Sequence, residues 1–303
     1  MSKNNFPLRF YLYSKERFNL IQFSFLSLML GLILGLGTQT LVTGHISLWP
    51  ITFGVITLFL FFLRLRLFDE LKDYEHDVEF YPKRPVPRGL ISLREIKILI
   101  FPLAGLELMI ALKSGTLALI VFLVSFIYSL LMFKEFFIRD WLRKHFTLYV
   151  FAHELLVIPL FIYICAINGL ASSGVNWSYF LNLIILSTSL LFLLEVTRKT
   201  RPIASEIASR DTYTAQYGVV GTSVLIATIS CLAVAAMVYN IFLLGKPILW
   251  PVVMSLATLS YLLYCIYLFT RKATAASTKA VFQASIFFFA VVSFVSIVVM
   301  SIR

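Results

Sequence analysis

The chain has 303 residues, is 60% apolar and only 14% charged, and carries 29 phenylalanines. That much hydrocarbon excludes a soluble globular protein and specifies a polytopic membrane protein whose partner is the lipid bilayer. The net charge of +11 does not point to nucleic acid, because the basic residues sit in loops between apolar runs, where they act as a topological signal.

Nine apolar segments of membrane-spanning length are predicted, near 18–37, 47–67, 94–112, 115–133, 147–167, 178–196, 219–241, 247–269 and 280–301. Lys15 and Arg17 precede the first, but it is long and no A-x-A-like cleavage site follows, so it reads as a retained helix and not a signal peptide. With the N-terminus in the cytoplasm and alternating loops, 23 of the 26 lysines and arginines fall on the cytoplasmic side; only Lys113, Lys246 and Arg303 lie outside. That asymmetry places the C-terminus outside and supports an odd number of spans. The richest loops follow the second and sixth spans, four helices apart, which suggests two four-helix repeats plus one helix. The expected fold is therefore all-α: a single domain over 1–303, a nine-helix membrane bundle with cytoplasmic loops at 64–97 and 195–218. Cys165, Cys231 and Cys265 fall inside apolar runs and fit neither a disulfide framework nor a zinc site.

In the first of these loops Asp69, Asp73 and Asp77 recur every four residues. On a helix a step of four advances ~6 Å and drifts only ~40°, so the three line one stripe, with Glu70 beside it. Read plainly, such a patch is a solvated acidic helix at the membrane edge. Three anions that close also repel one another, and an all-oxygen set suits a hard cation such as Mg²⁺, usually shared with substrate phosphates. The run Lys83-Arg84-Pro85-Val86-Pro87-Arg88-Gly89 brings a cationic cluster to the same surface. Pro82, Pro85 and Pro87 are expected to end the acidic helix.

The loop after the fourth span adds Lys134, Glu135, Arg139 and Asp140; Lys134 reads as a snorkelling side chain and Tyr128 as a packing or interfacial aromatic. Within the spans, Glu107 and the pair His153-Glu154 are ionisable residues that face either a cavity, where an acceptor would bind, or structural partners. In the second loop Glu195 ends an otherwise apolar helix, with Arg198 and Lys199 three and four residues on. A local ion pair and a functional charge are both consistent with that spacing. Glu206 and Asp211 lie on the same loop, and Pro202 closes the helix. The mixed charges of the two loops together would bracket a diphosphate and its metal ions.

On these residues the chain resembles the UbiA superfamily of intramembrane prenyltransferases. The signature N/D-x-x-x-D-x-x-x-D followed by R-P-x-x-x-G is similar to Asp69, Asp73 and Asp77 with Arg84-Pro85-Val86-Pro87-Arg88-Gly89. The resemblance implies that these carboxylates hold Mg²⁺ against the diphosphate of a prenyl donor, and that Tyr128 and Lys134 contact that diphosphate. The second signature, D-x-x-x-D after the sixth span, departs: its positions are Glu195 and Lys199. Glutamate can bind a metal ion but lysine cannot, so Glu206 and Asp211 are the candidates for the missing oxygens. The function implied is Mg²⁺-dependent transfer of a prenyl group from a polyprenyl diphosphate to a membrane-soluble acceptor. Asp69, Asp73, Asp77 and Glu195 would act at the metal, while Lys83, Arg84, Lys134, Arg198 and Lys199 hold the diphosphate. The alternative is a non-catalytic membrane carrier or binding protein for a divalent cation or lipid diphosphate. A CDP-alcohol phosphotransferase also uses aspartate ladders, but no glycine follows Asp73 and no A-R pair follows.

Overall fold

The computed structural model describes residues 5–42, 44–170, 175–202, 204 and 212–302. Among the described residues there are thirteen α-helices, one 3₁₀ turn and no strand. The helices are α1 (Phe6–Arg17), α2 (Leu20–Val42), α3 (Leu48–Lys72), α4 (Tyr74–Phe80), α5 (Leu93–Lys113), α6 (Thr116–Phe133), α7 (Arg139–Arg143), α8 (Phe146–Glu154), α9 (Val157–Ile167), α10 (Trp177–Arg198), α11 (Tyr213–Leu243), α12 (Leu249–Arg271) and α13 (Ala275–Ser301). The chain divides into two compact units, Met1–Gly31 with Ser47–Ala171, and Leu32–Ile46 with Ser172–Arg303.

Among the described residues eight helical stretches are long and apolar enough to cross a membrane, with α8 and α9 counted as one. They correspond to eight of the nine predicted segments, and the protein is an integral, multi-pass membrane protein. The remaining segment, 94–112, is also a helix: α5, 21 residues long. Its charges and not its length set it apart, for it carries Arg94, Glu95, Lys97, Glu107 and Lys113. The predicted start at 219 falls just after Gly218, whose φ of 68° and ψ of 177° bend α11 near its beginning.

In the first unit α3 packs on α5 and α9, and α6 on α9. The approach of α2 to α3 requires glycine at position 31, since a Cβ there would lie 2.5 Å from Val55 Cγ2. Helix α5 starts at a capping box in which Ser92 Oγ accepts from the Glu95 amide at 3.3 Å and Glu95 Oε2 accepts from the Ser92 amide at 2.9 Å. In the second unit α10 packs on α11 and α13, and α12 on α11 and α13. Several buried hydroxyls there bond within their own helices: Thr197, Ser230, Ser285 and Ser296 each donate to the carbonyl four residues back.

The first charges counted to the loop after the second span, Arg64 to Lys72, belong to α3. Arg64 is fully buried in the first unit and Arg66 lies one turn from Glu70, because α3 continues unbroken to Lys72. Inside the unit Arg64 Nε donates to both Glu107 carboxylate oxygens at 3.0 Å, and its Nη1 donates to Ser129 Oγ at 2.9 Å. Phe61 and Phe126 hold the guanidinium over their rings, with centroids at 4.4 and 4.8 Å. Glu107 is thus an ion-pair partner linking α3 to α5.

Candidate functional site

The aspartate stripe forms where α3 passes into α4. Asp73 ends the first helix and caps the second, at φ −97° and ψ 11°. The four-residue hydrogen bonds nevertheless run through the junction: the Asp73 amide donates to the Asp69 carbonyl at 2.9 Å and the Asp77 amide to the Asp73 carbonyl at 2.8 Å. The three carboxylates therefore keep their common side across the junction. Helix α4 ends at Phe80, and the proline-rich turn that follows is closed by the Leu90 amide donating to the Pro85 carbonyl at 2.8 Å. Gly89 sits at φ +78°, a conformation that only glycine adopts without strain.

The three aspartates have different surroundings. Asp69 is half-exposed, with Lys72 Nζ at 3.7 Å and Arg66 Nη1 at 3.9 Å. Asp73 makes no carboxylate hydrogen bond or ion pair among the described residues; burial raises its carboxyl above the ordinary aspartate range, Lys72 opposes that, and Asp69 and Asp77 add to it. Asp77 is buried and held on both oxygens, by Arg84 Nη1 on Oδ1 and by Arg17 Nη2 on Oδ2 at 3.3 Å. Beside the stripe, buried Glu70 accepts on Oε1 from Arg66 Nη2 and Arg17 Nε, both at 2.7 Å, and from the Tyr13 hydroxyl at 3.4 Å. Burial pushes the Tyr13 phenol up, so it stays protonated and donates.

Arg84 stacks over the Tyr81 ring, 3.5 Å from its centroid. Lys83 is exposed, and its carbonyl accepts from Arg88 Nη1 at 2.6 Å. Arg17, Lys83 and Arg84 line an open cleft of about 520 Å³, together with Glu16, Tyr81 and Pro82. Burial and the neighbouring Arg17 both press the Arg84 guanidinium down, against the support of Asp77. Two cations are held side by side on one carboxylate.

The loop after α6 comes to the same place. Lys134 is exposed, and Glu135 is buried, with Arg139 Nε 3.1 Å from its Oε2. Glu135 lies within electrostatic reach of Asp73 and Lys72. Glu135, Phe136 and Phe137 all have positive φ, at 46°, 53° and 59°, a strained left-handed turn. Tyr128 does not point a free hydroxyl at the stripe; it donates to the Ala152 carbonyl at 2.8 Å. His153 bonds the Tyr149 carbonyl through Nδ1 at 2.7 Å and stacks on the Tyr149 ring.

In the second unit, Glu195 makes the local ion pairs that its spacing allowed: Arg198 Nη2 reaches Oε2 at 2.7 Å and Lys199 Nζ reaches Oε1 at 2.9 Å. Glu206 and Asp211 lie outside the described residues.

Among the described residues, no three carboxylates, histidines or cysteines are drawn together closely enough to hold a metal ion without side-chain movement. The chemistry of the donor set nonetheless fits Mg²⁺. All the donors are carboxylate oxygens, and Asp73 is a half-buried one with no direct ion pair among the described residues.

The sequence profile of the UbiA prenyltransferase family matches residues 28–292. The chain belongs to this family. Its members are prenyltransferases, and the matched stretch contains the aspartate stripe, the proline turn and the Glu195–Lys199 segment. As a UbiA family member the chain shares its fold with solved structures of low identity. A digeranylgeranylglyceryl phosphate synthase is 18% identical with a TM-score of 0.64, covering 97% of this chain and 98% of that one. A UbiA homolog from Aeropyrum pernix K1 is 15% identical with a TM-score of 0.59, covering 90% and 97%. A UbiA homolog from Archaeoglobus fulgidus bound to DMAPP and Mg²⁺ is also 15% identical with a TM-score of 0.59, covering 94% and 98%. No curated protein matches the chain in sequence.

The sequence pointed to the stripe and to Arg84 but not to Arg17, Tyr13 or Glu135 as its neighbours. Arg17 and Tyr13 come from a helix that ends before the first span and meets the stripe more than fifty residues on. The only sequence signal was the basic pair Lys15 and Arg17, which also serves topology.

Proposed function

We propose that the protein transfers a prenyl group from a polyprenyl diphosphate to an acceptor dissolved in the membrane, with Mg²⁺ at the aspartate stripe. The observation that carries this reading is the stripe itself: Asp73 is a half-buried carboxylate with no hydrogen bond or direct ion pair among the described residues, and Asp77 is bound by Arg17 and Arg84, which with Lys83 line an open cleft. Burial and the neighbouring carboxylates disfavour a charged Asp73, and a dication brought in with a diphosphate relieves that cost.

Asp69 and Asp73 would hold the metal, joined by Asp77 once its arginines turn away. When bound, Mg²⁺ would neutralise the charge that grows on the departing diphosphate. Lys83 and Arg84 present fixed positive charge to the same oxygens, so the allylic C–O bond can ionise. Exposed Lys134, on the turn that brings Glu135 to the stripe, adds a further cation. Tyr128, whose hydroxyl donates elsewhere, orients the α6 end and does not donate to the diphosphate. On the second motif, Lys199 supplies a point charge where the family signature has a carboxylate. Glu195 then serves to orient Lys199 and Arg198.

A second reading is a membrane protein that binds a lipid diphosphate without turning it over. It is favoured by Glu195, whose oxygens are both taken by cations of its own helix end. Incubating purified protein with Mg²⁺, a labelled polyprenyl diphosphate and a membrane lipid extract separates the two. Label in a new lipid supports transfer; retention of intact donor on the protein with no labelled product supports binding alone.

A further inference from the structure

Helix α1 lies before the stretch that matches the family, yet it delivers a guanidinium into the stripe. It is anchored at several points that do not involve Asp77. Arg9 donates to the Leu90 carbonyl at 3.0 Å and pairs with Glu95 at 2.5 Å. Glu16 pairs with Arg88 at 2.6 Å. Tyr13 and Phe18 are buried in a cluster with Leu63, Leu67, Val86 and Ile96. Arg17 is therefore not needed to dock the helix.

Its neighbours place it among ligand-directed groups. Arg17 shares Asp77 with Arg84, each on one oxygen, and lines the same cleft as Arg84 and Lys83. Among the described residues the one carboxylate lining that cleft, Glu16, is already paired with Arg88. The cleft thus holds an excess of positive charge with an open face. If Asp77 is to contribute an oxygen to a metal, the two guanidinium groups on it must find another anion.

We propose that Arg17 is an additional diphosphate-binding residue, kept on Asp77 and Glu70 until a metal diphosphate arrives and then transferred to a phosphate oxygen. The inference rests on the prenyl-diphosphate reading above and adds to it a residue supplied by the N-terminal helix. In the loaded state the guanidinium gains a phosphate oxygen in place of a carboxylate and Asp77 gains the metal, so the exchange favours the loaded state.

The test uses full-length protein in detergent, with Mn²⁺ as a paramagnetic stand-in for Mg²⁺ and pyrophosphate as the head-group probe, read by electron paramagnetic resonance. Arg17→Gln should weaken Mn²⁺-pyrophosphate binding about tenfold, the size of one charge-assisted hydrogen bond. Mn²⁺ alone should bind the variant no more weakly than the wild type, because Asp77 has lost a competing cation. Arg9→Gln, which loosens α1 at Glu95, should leave both affinities within about twofold of wild type. If Arg17→Gln aggregates, Arg17→Met, which keeps the apolar stem, is read by the same criteria. Wild-type pyrophosphate affinity in the soluble Arg17 variant overturns the proposal, as does an equal loss in Arg9→Gln, which would make helix docking the cause. Failure of the wild type itself to bind Mn²⁺-pyrophosphate overturns the prenyl-diphosphate reading instead.

Discussion

The buried pair Arg64–Glu107 predicts a specific pattern of stabilities. Both side chains are fully buried, Arg64 Nε contacts both carboxylate oxygens at 3.0 Å, and Ser129 takes a further N–H at 2.9 Å. Glu107→Leu removes the acceptor and leaves a guanidinium without its counter-ion among Phe61, Phe68 and Phe126. An arginine at the centre of a membrane helix costs ~2.5–3.5 kcal/mol on insertion scales, and breaking a buried pair from one side costs ~3–5 kcal/mol. The single variant should therefore lose about 3–4 kcal/mol. Cation–π contacts and Ser129 soften the loss without replacing the carboxylate. The double variant Arg64→Met with Glu107→Leu removes both charges and should lie within about 1.5 kcal/mol of wild type, recovering about 2 kcal/mol of the Glu107→Leu loss. Reversible unfolding in mixed detergent micelles, followed by tryptophan fluorescence, measures all four members of the cycle. A cost below about 1 kcal/mol for Glu107→Leu, typical of an exposed pair, would refute the reasoning.

Three further outcomes follow from the same geometry and topology. Lys199→Ala should weaken donor binding and slow transfer, and Lys199→Asp should regain part of the lost rate at raised Mg²⁺; a Mg²⁺ titration of both variants checks this, and wild-type behaviour in Lys199→Ala would leave Lys199 as a partner of Glu195 only. Gly31→Ala should destabilise the first unit by about 1–3 kcal/mol, because its Cβ would sit 2.5 Å from Val55 Cγ2, and Gly31→Ala with Val55→Ala should recover much of the loss in the same unfolding assay. A reporter after Arg303 should read as external and one at Lys83 as cytoplasmic, and finding both on one side of the membrane would break the odd-span topology.

What the sequence revealed depended on the range of the interaction. Membrane spans are local composition, and each predicted segment is a helix in the structure. The stripe was legible because a four-residue repeat is a local property of a helix, and the Glu195 pairs were legible for the same reason. Contacts across long separations left no such mark. Arg17 meets Glu70 and Asp77 at separations of 53 and 60 residues. Arg64 was counted to a loop because a charge beside an apolar run reads as the end of that run, and its partner Glu107 is 43 residues away. Tyr128 donates its hydroxyl to a backbone carbonyl 24 residues on, a contact its own neighbourhood in sequence does not announce. The left-handed turn at Glu135–Phe137 had no glycine or asparagine to announce it.

The central claim, that the aspartate stripe runs metal-dependent prenyl transfer, is tested most directly by comparing wild type with Asp73→Asn in a single assay. Purified protein is supplied with labelled polyprenyl diphosphate, a membrane lipid extract and saturating Mg²⁺, and labelled lipid product is measured alongside circular dichroism of each sample. Asp73 lies at the α3–α4 junction with no carboxylate partner among the described residues, so asparagine should preserve the helical signal. The account predicts product with the wild type, none when Mg²⁺ is chelated, and loss of at least about 100-fold with Asp73→Asn, on the scale of one removed metal-directed charge. Undiminished, Mg²⁺-dependent product from Asp73→Asn, or no product from folded wild type, would contradict it.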